Sequence, residues 1–150
     1  MGFEARDPGY EARVRESFAR QQVMATLGAR LARVAPGEVD MELPFREDLT
    51  QQHGFLHAGV LATVLDSACG YAAFSLMPKG AAVMSVEFKI NLLAPARGER
   101  VIARARVKKA GRTITVCEAD ALVVNSGEEK LVASMVGTMM CVVGREGLVG

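Results

Sequence analysis

The residues of this chain best suited to chemistry gather in one stretch, Gln51-Gln52-His53-Gly54-Phe55-Leu56-His57-Ala58-Gly59, and a single carboxylate, Asp66, follows it. From His57 to Met77 the sequence reads HAGVLATVLDSACGYAAFSLM, which, His57 aside, carries one charge and no proline. A carboxylate in so apolar a helix is expected to be desolvated, and such a group keeps its place by having a partner or a task. It can serve as a nucleophile or as a general base, or it can be a structural acid paired with a backbone donor. The first N–H groups of a helix have no partner within it. Ala58 and Gly59 are therefore candidates to aim donors at an oxyanion, with small side chains that let a carbonyl approach. Gly59 also fits a plain tight turn.

Other chemistries fit these residues less well. His53 and His57 are four apart, but Gly54 and the helix start near His57 put them on a loop, and no Cys or carboxylate cluster completes a metal site. No metal is expected. A G-x-S-x-G elbow is absent, and although Gly54 and Gly59 are spaced like the start of a phosphate-binding loop, Val60 stands where lysine is required. Cys69, Cys117 and Cys141 are odd in number, widely spaced and set among apolar neighbours, so they read as small reduced core residues.

The elements that must hold these groups follow from composition and periodicity. The chain has 150 residues, half of them apolar, with 18 Lys and Arg against 17 Asp and Glu, which describes one globular domain. Two Tyr, six Phe, no Trp and no basic excess argue against nucleic acid. Eight charges in the first twenty residues leave no apolar signal segment, and Arg6 stands where a myristoylation motif needs Ser or Thr, so a cytoplasmic location is expected. The run from His57 to Met77 is long enough to consider as a membrane span. Asp66 at its middle would cost ~2.5–3.5 kcal/mol there, and everything downstream reads as sheet, so the expectation is a helix enclosed by the rest of its own domain.

Before it, Asp7-Pro8 reads as a helix cap followed by the first helical residue, and Tyr10, Val14 and Phe18 recur four apart, which predicts one amphipathic helix over about Pro8 to Met24. Residues 1–36 are thus a helical lead-in to a domain over residues 37–150. From Glu38 the period becomes two, with Val39, Met41, Leu43 and Phe45 alternating with polar residues and with Pro44, which suggests a strand near an edge. Four more strands are expected: Met84 to Leu92, with Met84, Val86, Phe88, Ile90 and Leu92 on one face; Val101 to Lys108; about Thr113 to Val124; and about Lys130 to Val143. The breaks between them are short enough for antiparallel hairpins, so the four read as a meander. An antiparallel sheet needs one apolar face covered, and only the helix from His57 to Met77 can cover it. The fold class is α+β, a curved antiparallel sheet round one central helix.

Gln51, then His57-Ala58-Gly59, then Asp66 nine positions after the His, Ser85 in a V-M-S-V-E-F strand and the run L-L-A-P-A-R-G-E together resemble the hotdog-fold acyl-CoA thioesterases of the phenylacetyl-CoA thioesterase (PaaI-type) branch. The match extends from about Glu38 to Val143. It implies that Asp66 is the nucleophile or the general base toward water and that the Ala58 N–H polarises the thioester carbonyl. It further implies that Gln51 positions substrate or water, that His57 supports the loop and that Ser85 orients water. The resemblance implies a dimer or tetramer, with each site built across a subunit interface and coenzyme A lying along the surface. Arg97 with Gly98, Lys109 and Arg112, all placed in turns between strands, are candidates to meet the coenzyme A phosphates, as are Gly59 and His53 to meet substrate. Ala58 stands where the family's first glycine would be, and Gly70 stands where some relatives carry a hydroxyl.

The function expected is hydrolysis of an aryl or medium-chain acyl-CoA thioester to a carboxylic acid and free coenzyme A, without cofactor. The rivals are a non-catalytic acyl-CoA binding domain and a dehydratase or hydratase on the same fold. Release of free thiol separates the first from the other two.

Overall fold

The computed structural model describes residues 2–150. Two short helices, α1 (Tyr10–Arg20) and α2 (Gln22–Leu27), lead into strands β1 (Arg30–Ala35) and β2 (Glu38–Pro44). A 3-10 turn (Glu47–Leu49) and the long helix α3 (Ala58–Phe74) follow, and then β3 (Ala82–Leu92), β4 (Arg100–Ala110), β5 (Ile114–Asn125) and β6 (Glu128–Val142). The strands form one antiparallel sheet in the order β1-β2-β4-β5-β6-β3. Helix α3 packs against β2, β3, β4, β5 and β6. Five adjacent strands span about 19 Å while a helix is about 10 Å across, so the sheet must curl round α3 to touch it with all five.

Small inward side chains allow that close approach. Val101, Ala103, Ala105 and Val107 of β4 and Cys117, Ala119, Ala121 and Val123 of β5 are buried, opposite Leu61, Leu65, Ala68 and Ala72 of α3. The outward residues of the same strands carry charge, and Arg104–Glu129, Arg106–Glu118 and Lys108–Glu118 pair across the strands. No helix among the described residues is long and apolar enough to cross a membrane.

Several elements differ from the expectations above. The lead-in is not one helix from Pro8 to Met24: Gln21 adopts an extended conformation (φ −81°, ψ 95°) and divides it into α1 and α2. Asp7 accepts the Gly9 N–H at 3.0 Å through its side chain and the Tyr10 N–H at 3.1 Å through its carbonyl, so Pro8 lies in a turn ahead of the helix. Strand β1 was not expected; it forms the edge of the sheet, so β2, expected near an edge, is the second strand in. Pro44 is nevertheless tolerated, because the β1–β2 register ends at Arg30 opposite Glu42 and nothing on that side requires an N–H from residue 44.

The meander holds for β4, β5 and β6 only. Strand β3 pairs with β6 and not with β4, which leaves β3 as a sheet edge. A bulge at Val86, between Ser85 and Glu87, also changes which side chains face the helix. Ser85 lies opposite the buried Met139, and Phe88, Ile90 and Leu92 lie opposite Gly137, Met135 and Ala133, whereas Met84 lies opposite the outward Met140. The strict alternation from Met84 to Leu92 is thus broken by the extra residue, as the period of two demands.

Candidate active site

Helix α3 begins where the sequence places it, because His57 caps it. The His57 backbone is extended, and its Nδ1 accepts the Gly59 N–H at 2.8 Å. Nδ1 therefore carries no proton, and the ring's N–H is at Nε2. This engages Gly59, so of the two expected donors only the Ala58 N–H is left without a partner among the described residues.

The preceding turn is held by its own polar groups. The Gln51 N–H donates to the Phe55 carbonyl at 2.8 Å, and the Gly54 N–H to the Gln51 carbonyl at 3.1 Å. Gln51 Oε1 accepts the N–H groups of His53 and Phe55 at 2.5 and 3.4 Å, and its Nε2 has no partner among the described residues. His53 is exposed on this turn. Arg97 reaches the same place, its Nη1 lying 3.5 Å from where a side chain on Gly54 would begin. Gly98 is fixed by packing, since a Cβ there would fall 2.4 Å from Val123 Cγ1.

Asp66 is not enclosed on all sides. It is half-buried on a stripe of α3 with Thr63 and Ser67, the helical spacing that puts them on one face, and this stripe opens beside the edge strand. The β3 bulge turns Ser85 toward it, and Ser85 Oγ donates to Asp66 Oδ1 at 2.7 Å. The other carboxylate oxygen has no partner among the described residues. Asp66, Ser67, Gly70 and Ser85 line a cleft of about 170 Å³ together with Ser17, Gln21 and Tyr71. Gln21 and Ser67 were not anticipated as site residues. A long polar side chain at a helix break carries no sequence signature when the break has neither Gly nor Pro.

The structure brings Asp66 and Ser85 together, and separately gathers Gln51, His53, His57, Ala58 and Arg97 at the start of α3. It does not join the two groups: Ala58 and Asp66 are eight residues apart on one helix, about 12 Å along its axis. Lys109 lies within β4 rather than in a turn, and only Arg112 is in the turn that follows. That turn and Arg97 stand at opposite ends of β4, roughly 30 Å apart at the rise of a strand.

No group of three or more His, Cys, Asp or Glu among the described residues is arranged to hold a metal ion. All three cysteines are free. Burial pushes the Cys117 thiol up to about 12 and Cys69 higher still, so neither offers a thiolate at neutral pH.

A family model for the thioesterase superfamily matches residues 53–129. Acyl-coenzyme A thioesterase 13 of Homo sapiens is 34% identical over 104 residues, which cover 69% of this chain and 72% of that protein. The crystal structure of a thioesterase family protein from Silicibacter pomeroyi is 59% identical with a TM-score of 0.89, covering 91% of this chain and 100% of that one. The E. coli PaaI protein from the phenylacetic acid degradation operon, at 21% identity and a TM-score of 0.80 over 90% of this chain and 94% of its own, shares the hotdog fold.

Proposed function

The chain belongs to the thioesterase superfamily, and from that premise we propose that it hydrolyses an aryl or medium-chain acyl-CoA thioester to a carboxylic acid and free coenzyme A. The observation that carries this reading is a lone carboxylate, Asp66, oriented through one oxygen by Ser85 and open at the other to a cleft. The open oxygen has two uses. As a nucleophile it attacks the thioester carbon and expels the thiolate, forming a mixed anhydride that water then hydrolyses. As a general base it takes a proton from water while the water oxygen attacks the same carbon, and the thiolate leaves. In both, negative charge builds on the carbonyl oxygen, and the free Ala58 N–H is the donor suited to receive it.

Donor and carboxylate must both lie within about 3 Å of the reacting group. At about 12 Å along α3 they cannot do so within one chain. A site composed of Ala58 from one copy and Asp66 from another removes the conflict, and the unpaired edge of β3, where Val86, Phe88 and Leu92 are exposed, Phe88 beside Asp66 and Leu92 beside Gln51, is the surface a second copy would cover. The active form is accordingly a homodimer or a tetramer of such pairs. Gln51 Nε2 positions substrate or water, His57 keeps the turn rigid, and the coenzyme A phosphates are met either by Arg97, at one end of β4, or by Lys109 and Arg112, at the other. The thioester is already an activated electrophile and water is the second substrate, so the reaction needs no cofactor.

A panel of aryl, short, medium and long acyl-CoA substrates with a thiol reagent tests the proposal. Stoichiometric thiol and carboxylic acid are expected from at least one substrate. Binding without thiol release across the whole panel would replace it with an acyl-CoA binding role.

A further inference from the structure

Gln21 stands where α1 stops and α2 begins, although glutamine is a good helix former and neither Gly nor Pro interrupts the run. Its side chain explains the break, because both ends of the amide are engaged by α3. Ser67 Oγ donates to Gln21 Oε1 at 2.6 Å, and Gln21 Nε2 donates to the Tyr71 hydroxyl at 3.1 Å. Ser17 Oγ, 3.1 Å from that hydroxyl, spends its own proton on the Gly150 carbonyl at 2.7 Å. The Tyr71 proton therefore goes to Ser17, and the chain runs in one direction from Gln21 through Tyr71 and Ser17. This leaves one Gln21 N–H and lone pairs on Gln21 Oε1, Ser67 and Tyr71 unspent.

All four side chains line the cleft that contains Asp66 and Ser85. A Cβ on Gly70 would meet nothing within 4 Å, so the missing side chain keeps that wall open. The cleft's 170 Å³ compares with the roughly 150 Å³ of an apolar cavity that accepts a benzene ring, but here the wall is polar. An alkyl end seated against it strips water from Gln21 and Tyr71 and returns no hydrogen bond. A hydroxyl end can both accept from Gln21 Nε2 and donate to a free lone pair.

Resting on the thioesterase reading, we propose that Gln21 is a specificity-determining residue that selects compact acyl groups ending in a hydrogen-bonding substituent over plain alkyl groups of the same size. Hexanoyl-CoA and 5-hydroxypentanoyl-CoA, equal in heavy atoms and differing only in a terminal methyl or hydroxyl, are the probes. Thiol release gives kcat/KM for each, and calorimetry gives Kd for the analogues in which a methylene separates sulfur from the carbonyl. The wild type is expected to favour the hydroxyl-ended member about tenfold in both, the worth of one hydrogen bond. In Gln21→Leu the ratio should fall to near one. Tyr71→Phe, which keeps the ring and its packing, should lower it in the same direction and decides the matter if Gln21→Leu does not fold. Equal Kd values in the wild type, or an unchanged ratio in the folded variants, would overturn the assignment. A Kd preference with no thiol release from any acyl-CoA would sink the hydrolase reading and leave the role of Gln21 supported.

Discussion

Replacing Asp66 by asparagine keeps the shape of the side chain and its hydrogen bond with Ser85 while removing the base or nucleophile. Turnover should fall by about 10²–10⁴-fold, with the loss in kcat and little change in KM, because the carboxylate acts in the transition state. Circular dichroism and sedimentation should remain those of the wild type. Activity within a few-fold of wild type in a folded Asp66→Asn would make Asp66 a structural acid. Ser85→Ala tests the partner: it frees Oδ1 to rotate but leaves the charge in place. A hydrogen bond to a charged group is worth about 1.5 kcal/mol or more, so kcat should drop about tenfold, well short of the effect at Asp66. An equal loss at both positions would show that Ser85 takes part in the chemistry directly.

At the scale of elements, the loop between β3 and β4 is set by how closely Gly98 passes β5. Gly98→Ala would drive its Cβ against Val123 and Asn125, so the melting temperature should fall, with a cost of about 1–3 kcal/mol for overpacking. An unchanged melting temperature would mean that β5 yields there. Helix α3 and the hairpins of β4, β5 and β6 were legible in the sequence, because their apolar periods are clean and Gly111 and Gly127 mark the turns. Strand β1 was not. Its run RLARVA has no alternation, its register slips between Leu31 and Arg33, and its burial follows no period of two. The Val86 bulge was equally hidden, since one additional β-branched residue looks like an ordinary strand position. Asp66 and His57 stood out because each broke the apolar pattern round it, and Ala58 because it follows the helix start, whereas Gln21 did not, its conformation being imposed by Ser67 and Tyr71 across the cleft.

For the molecule as a whole, the separation of Ala58 from Asp66 invites a complementation experiment. Proline is tolerated at the first position of a helix and lacks the N–H, and the extended His57 backbone (φ −62°, ψ 138°) suits a residue before proline. Ala58→Pro should therefore be folded and nearly inactive, as should Asp66→Asn. Mixing the two after subunit exchange should restore activity, to about a quarter of wild type for a randomly assorted dimer, because half of the molecules then hold one undamaged pair. No recovery, with exchange demonstrated, would return the whole site to one chain. The open edge of β3 carries a further consequence for dosage. Where a working centre needs two copies, dilution below the dissociation constant makes activity per volume scale with the square of the amount of chain. Halving expression would then cost three quarters of the flux, whereas adding a subunit damaged only at Asp66, which still lends its Ala58 N–H to the carboxylate of an intact partner, would raise the output of the intact chains.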